Sequence, residues 1–144
     1  MLSNKDQEAL AYYFAGRAEV AAAFLFGSQA SGRSNAASDV DIAILFHWES
    51  NREDLRLSEL ITDLIGILRR QDVDVAILND ASPVLLREVA VHGHVIYSEN
   101  EEIVAEFGIW ALQQYEDTRP LRRLQDELIE QRLARLRALD SGGK

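Results

Sequence analysis

Cysteine is absent from this chain of 144 residues, histidine occurs only three times and proline twice. Each scarcity removes a class of function. Without cysteine there are no disulfides and no thiolate metal sites, which suits a reducing compartment. His47 and His94 share no metal-ligand spacing with a cysteine or with a second histidine on one helix face, which argues against zinc. No apolar stretch approaches the ~20 residues needed to cross a bilayer, and residues 1–6 lack a basic region followed by an apolar core. The expectation is a soluble, cytoplasmic protein with no membrane partner. There is no internal repeat and no low-complexity linker. The length fits one domain, enough to bury about two-thirds of its unfolded surface in a single core.

Positive charge is also scarce over most of the chain. Residues 1–118 hold eight Lys and Arg against twenty Asp and Glu, whereas residues 119–144 hold seven against four, within an overall net charge of −9. An acidic body disfavours nonspecific nucleic-acid binding, so no direct nucleic-acid partner is expected. The arginine-rich end (Arg119, Arg122, Arg123, Arg132, Arg135, Arg137) reads either as a solvated helix face or as a partner-binding surface.

What is present concentrates in one segment. Gly27-Ser28 is followed, after ten residues, by Asp39-Val40-Asp41. Upstream lies the apolar run Val20-Ala21-Ala22-Ala23-Phe24-Leu25-Phe26, of strand length. Downstream, residues 39–46 continue into Ile42-Ala43-Ile44-Leu45-Phe46 and also read as a strand. Alternate residues of a strand share a face, so Asp39 and Asp41 set their carboxylates side by side. Two anions that close repel, and one of them should hold its proton above the usual value of about 4. Mg²⁺, which prefers a few hard oxygens together with substrate phosphates, relieves that conflict. Asp74 interrupts the otherwise apolar run Val73-Asp74-Val75-Ala76-Ile77-Leu78, and a charge there needs a reason. Asp72 shares its face by parity, but its place at the mouth of the strand favours a solvated end residue.

The segment Gly27-Ser28-Gln29-Ala30-Ser31-Gly32-Arg33-Ser34 is one residue away from a P-loop, with Arg33 where lysine belongs. A P-loop must open a long helix that crosses back to a parallel strand. Only four residues separate Ser34 from Asp39, so that reading fails on length. What survives is a turn whose N–H groups and Ser28 hydroxyl can hold terminal phosphates, with Arg33 as a phosphate neighbour. Alone, Gly27-Ser28 is also an ordinary strand exit and helix cap.

Gly-Ser, the gap and Asp-x-Asp resemble the signature of the polymerase-beta-like nucleotidyltransferase superfamily. Asn79-Asp80-Ala81-Ser82-Pro83 leading into a helix, and Gly93-His94-Val95-Ile96-Tyr97 after it, resemble its small stand-alone members, the minimal nucleotidyltransferase (MNT) group. The resemblance covers roughly residues 10–118. It implies two Mg²⁺ ions and ATP as substrate, with Asp39 and Asp41 bridging the ions and Asp74 completing the nucleophile-side metal and acting as general base. Gly27 and Ser28 would hold the β- and γ-phosphates. It further implies transfer of AMP to a tyrosine of a partner HEPN ribonuclease toxin, so that the chain acts as an antitoxin. Two alternatives stay open: a non-catalytic antitoxin that binds its toxin mole for mole, and a small-molecule (antibiotic) adenylyltransferase. The latter usually adds a second domain, for which about forty helical residues leave little room. The pair Arg87 and His92 matches the short Arg-x4-His pattern of HEPN ribonucleases themselves. Here it falls in a helix that ends at once in Gly93 and a strand, where His92 is simply well placed at a helix C-terminus.

Periodicity supplies the remaining elements. A helix is expected from about Lys5 to Ala18, capped by Ser3 or Asn4. Leu57, Leu60, Ile61, Leu64, Ile65 and Leu68 mark an amphipathic helix over residues 53–70 that covers the sheet. Residues 82–92 form another helix, closed by Gly93, and residues 94–97 the last strand. After Glu101 the pattern is helical to the end, broken by Pro120, with Leu121, Leu124, Leu128, Ile129, Leu133, Leu136 and Leu139 forming a wide apolar face that needs something to pack on. The expected fold is α/β (α+β), a short mixed sheet with flanking helices, divided into a nucleotidyltransferase domain over 1–118 and a C-terminal helical extension over 119–144.

Overall fold

A computed structural model describes residues 2–27, 39–51 and 56–142. Its elements are α1 (Asn4–Ala15), β1 (Val20–Phe26), β2 (Val40–Phe46), α2 (Leu57–Leu68), β3 (Val73–Ile77), a 3-10 turn (Leu78–Asp80), α3 (Pro83–His92), β4 (His94–Ser98), α4 (Glu101–Asp117) and α5 (Arg119–Gly142). The four strands form one mixed sheet in the order β3-β2-β1-β4. β1 pairs antiparallel with β2 and β4, and β2 pairs parallel with β3.

Alternation along the strands builds two cores. Val40, Ile42, Ile44 and Phe46 of β2 face α1 and α2, where Leu10, Phe14, Leu60 and Leu64 complete a buried cluster. Ala43 and Leu45 face the other way, onto Leu86 and Val89 of α3 and Phe107 and Ala111 of α4. A register shift in β1 between Val20 and Ala22 puts Ala21 and Ala22 together on that second side, where their small side chains let α4 approach the sheet. Helices thus cover both faces of the sheet.

Local chemistry sets the helix ends. The Ser3 hydroxyl accepts from the Asp6 N–H at 3.1 Å and starts α1. That helix stops at Gly16, earlier than periodicity alone suggests, because glycine is a weak helix former and the chain turns at Arg17 into β1. The Tyr13 hydroxyl donates to Asp63 at 2.7 Å and accepts from Arg17 at 2.9 Å, clamping α1 against α2. Burial first, then the bond to Asp63, pushes the Tyr13 hydroxyl up to about 12. The Ser82 hydroxyl caps α3 by accepting from the Leu85 N–H. Gly93 does close α3, but at an extended φ of −68° rather than in a left-handed cap. Glycine is needed there for space: a Cβ would lie 2.4 Å from the Val89 carbonyl oxygen. Pro120 does not make the break between the last two helices. Thr118 does, and Pro120 sits in the first turn of α5, where its missing N–H costs nothing.

α5 leaves the body of the protein. Its first turn is held where Arg122 stacks 3.5 Å from the Tyr115 ring centroid and donates to the Tyr115 carbonyl at 2.6 Å. Beyond that, Leu121, Leu124, Leu128, Ile129, Leu133, Leu136 and Leu139 are all exposed.

One side chain completes the sheet. The Asn79 amide accepts from the Phe46 N–H at 3.0 Å and donates to the Phe46 carbonyl at 2.9 Å, extending the ladder on β2 past the end of β3. Asn79→Ala strands both groups, so unfolding in urea should show a loss of about 1–3 kcal/mol. An unchanged midpoint would mean that water replaces the amide without cost.

Candidate functional site

The site lies where β1 ends and β2 begins. In the antiparallel register Phe26 faces Asp41, so the chain leaves β1 at Gly27 directly beside the Asp41 carboxylate. Gly27 has φ +71°, and a Cβ on it would sit 2.6 Å from Asp41 Oδ2. The backbone is the stronger reason for glycine, which adopts it at low cost, and a Cβ there would also push the Asp41 carboxylate aside.

The third carboxylate arrives across the parallel ladder. Val40 pairs with Val73 and Asp41 with Asp74, which sets the two carboxylates on neighbouring strands and on the sheet face they share with Ala43 and Ala76. Asp39 precedes β2 and keeps the same parity. Asp41 is half-buried, whereas Asp39 and Asp74 are exposed. Burial raises the Asp41 carboxyl above its ordinary range, and the charges of Asp74 and then Asp39 raise it further. The expected repulsion is present, but burial dominates it, and the neighbour across the ladder outweighs the neighbour along the chain.

Asp72 is drawn elsewhere. Arg70 grips both of its oxygens at 2.5 Å, and that guanidinium holds the Asp72 carboxyl below the usual range. Its backbone carbonyl accepts from the Val40 N–H at 2.9 Å and so helps to set the register that brings Asp74 to Asp41. Arg70 also feels the charge of Asp39. Neither the clamp nor the role of Asn79 is signalled by the alternation of apolar and polar residues, although Arg70 lies only two residues from its partner.

Ser28 and Arg33, the remaining nucleotide-binding candidates, lie outside the described residues. Among the described residues no three Asp, Glu, His or Cys side chains converge into a ready-made metal cage. The donor chemistry nonetheless fits Mg²⁺, which binds through one or two carboxylates and completes its shell with water and substrate phosphates. A carboxylate raised first by burial and then by two anionic neighbours is a group that a divalent cation relieves.

A stability prediction follows from the direction of that shift. A raised carboxyl means that the fold favours the protonated form, so the stabilisation is complete below the ordinary value near 4 and is lost as pH rises through the raised value. In EDTA, Asp41→Asn should therefore raise the thermal midpoint at pH 7 and give no gain at pH 3. Gly27→Ala should lower the midpoint at both. A midpoint that Asp41→Asn lowers at pH 7 would contradict the electrostatic account.

The family model of polymerase beta nucleotidyltransferases matches residues 8–102. No curated protein matches the chain. Among solved structures, a toxin-antitoxin complex with AMP-PNP contains a chain at TM-score 0.72 and 23% identity, covering 88% of this chain and 99% of that one. A complex of a tri-AMPylated HEPN toxin from Shewanella oneidensis with an MNT antitoxin contains one at TM-score 0.66 and 22% identity, covering 85% and 96%. At that identity the likeness concerns the fold, a mixed sheet flanked by helices. The family match spans well over half of the sequence and takes in Gly27, Asp39, Asp41 and Asp74, and the chain belongs to the polymerase beta nucleotidyltransferase family.

Proposed function

We propose that this protein is a Mg²⁺-dependent protein adenylyltransferase of the MNT antitoxin type, which moves AMP from ATP to a tyrosine hydroxyl of a HEPN toxin. The observation that carries this reading is the register pairing of Asp41 with Asp74, beside Asp39 and the Gly27 exit. Family membership supports nucleotidyl transfer. The complexes of similar fold, one with AMP-PNP and one with a tri-AMPylated HEPN toxin, support the nucleotide and the partner.

In this mechanism Asp39, Asp41 and Asp74 would be the residues that hold the divalent cations. The chemistry supplied by a pair of bound divalent cations is Lewis-acid activation of the acceptor oxygen and neutralisation of charge on the leaving pyrophosphate. Asp74 takes the proton from the tyrosine hydroxyl as its oxygen bonds to the α-phosphorus. The bond from that phosphorus to the bridging oxygen breaks, and pyrophosphate departs. Gly27 and Ser28 would hold the β- and γ-phosphates, and Arg33 would be a further phosphate ligand, as the sequence motif implies.

α5 is the proposed docking element. At ~100° per residue its leucines and isoleucine occupy about half of the helix circumference, and Arg132 and Arg135 fall inside that arc. Along that arc Leu128, Ile129, Arg132 and Arg135 form one open surface patch with Gln131. A partner seated there needs apolar surface with acidic groups set opposite the two arginines.

With Mg²⁺ and ATP labelled at the α-phosphate, label should move to the toxin, γ-label should not, and EDTA should stop transfer. Asp39→Asn, Asp41→Asn and Asp74→Asn should each lose at least ~10²-fold in rate, the scale of several kcal/mol from a metal clamp. Asp72→Asn should remain active. Transfer of γ-label would indicate a kinase, and exchanged behaviour of Asp72 and Asp74 would reverse their roles.

Enzyme and binder separate by stoichiometry. A small fraction of this protein with Mg²⁺ and ATP should silence an excess of toxin ribonuclease and leave mass increments of AMP. A mole-for-mole endpoint indifferent to ATP and to Asp41→Asn would favour the binder, for which the exposed face of α5 is the supporting observation. Truncation after Thr118 that leaves docking intact would remove only the role assigned to α5.

A further inference from the structure

A cavity of about 300 Å³ opens between the end of β2 and α4. It is remote from the carboxylates: Phe46 on its wall is five positions along β2 from Asp41, roughly 16 Å at strand rise. The protein has two tryptophans, and both line this cavity. The Trp48 and Trp110 rings meet edge to face at 5.2 Å, and Phe107 tilts against Trp110 at 6.2 Å. Trp48 is 58% exposed, a large aromatic surface left in water beside a concavity.

The charge around it has one sign. Glu49 and Glu106 line the cavity, and among the described residues no lysine or arginine does. His47 lines the cavity too, bonded to Glu99 at 2.5 Å and 3.9 Å from Glu49, which leaves Glu106 as the carboxylate of this wall with no such neighbour among the described residues. Aromatic faces with a carboxylate rim repel phosphates and attract cations. The volume sits at the small end of ligand pockets and suits one side chain rather than a nucleotide. Its inner wall is apolar, with Leu45, Ile103 and Phe107, so the cation it fits best carries a single charge on an aliphatic stem that can cover that wall. A polyamine would leave further ammonium groups against apolar surface. A guanidinium is flat enough to stack on indole and forked enough to meet two carboxylates.

We propose that this cavity is a docking socket for an arginine side chain projecting from a partner protein. It is independent of the transfer reaction and of α5.

The two tryptophans make intrinsic fluorescence a direct reporter, since no other part of the chain contributes tryptophan emission. The full-length protein is titrated with a capped Gly-Arg-Gly peptide, with the same peptide carrying neutral citrulline, and with spermidine. The arginine peptide should change the emission saturably, with a dissociation constant in the ~mM range expected of one side chain. Citrulline should bind at least ~10-fold more weakly, and Glu106→Gln or Glu49→Gln should each weaken the arginine peptide by ~5-fold or more. These surface changes leave the fold intact. Trp48→Ala should abolish the response of the remaining tryptophan without altering far-UV circular dichroism. Equal binding of the arginine and citrulline peptides, no saturation by arginine, or indifference to both glutamine variants would overturn the proposal. Tighter binding of spermidine would replace the docking socket with a polyamine site.

Discussion

The parallel pairing of β2 with β3 places Asp41 against Asp74, and the rest of the site is arranged around that unfavourable contact. Nothing in the carboxylates favours the register. The opposite face does: Val40, Ile42, Ile44 and Val73 are buried there, and a slip of one residue would turn them outward and the aspartates inward. The Val40 bond to the Asp72 carbonyl fixes one end of β2, and the Asn79 amide fixes the other. Hydrophobic burial on one face thus maintains electrostatic repulsion on the other.

The second face is divided along its length. Over β1 and the later part of β2, alanines and Leu45 admit α3 and α4 and form a buried core with Phe107 and Leu86. Toward Gly27 the same parity of residues turns acidic, and Asp39 and Asp74 are exposed. A covered end and an open end follow from the side chains that β2 presents, together with the β1 register shift that brings Ala21 and Ala22 onto the covered side. α5 breaks the pattern of satisfied faces. Its leucines gain nothing from the body of the protein, so its apolar arc has a favourable partner only outside it.

Much of this was legible in the sequence because it rests on periods of two and of 3.6. The strands, the amphipathic stripe of α2, the Ser3 cap and the shared parity of Asp39 with Asp41 are local facts. Which strand residue meets which is not local. Choosing between Asp74 and Asp72 depends on pairing across more than thirty residues, and parity alone admits both. The β1 bulge that doubles Ala21 and Ala22, and the Asn79 bridge, are similarly invisible until two strands are side by side. Gly93 shows the limit from another direction. A glycine after a helix suggests a left-handed cap, but here its missing Cβ makes room for the Val89 carbonyl, a steric reason that no sequence pattern encodes.

Gly27 also removes one escape from the repulsion. Its backbone, at φ +71°, fixes the exit of β1, and its bare Cα is what leaves Asp41 Oδ2 its place. Asp41 in turn is anchored by antiparallel pairing to Phe26 and parallel pairing to Asp74. It cannot move away without breaking a ladder on one side or the other, and the neighbouring guanidinium of Arg70 is committed to Asp72. Relief then comes by protonation or by a cation from solution. A species that binds only the folded arrangement stabilises it in proportion to its occupancy. Metal and nucleotide binding at these carboxylates, as proposed, would therefore be coupled to the stability of the sheet itself, because the charges that would hold the ligand are the ones that weaken the fold without it.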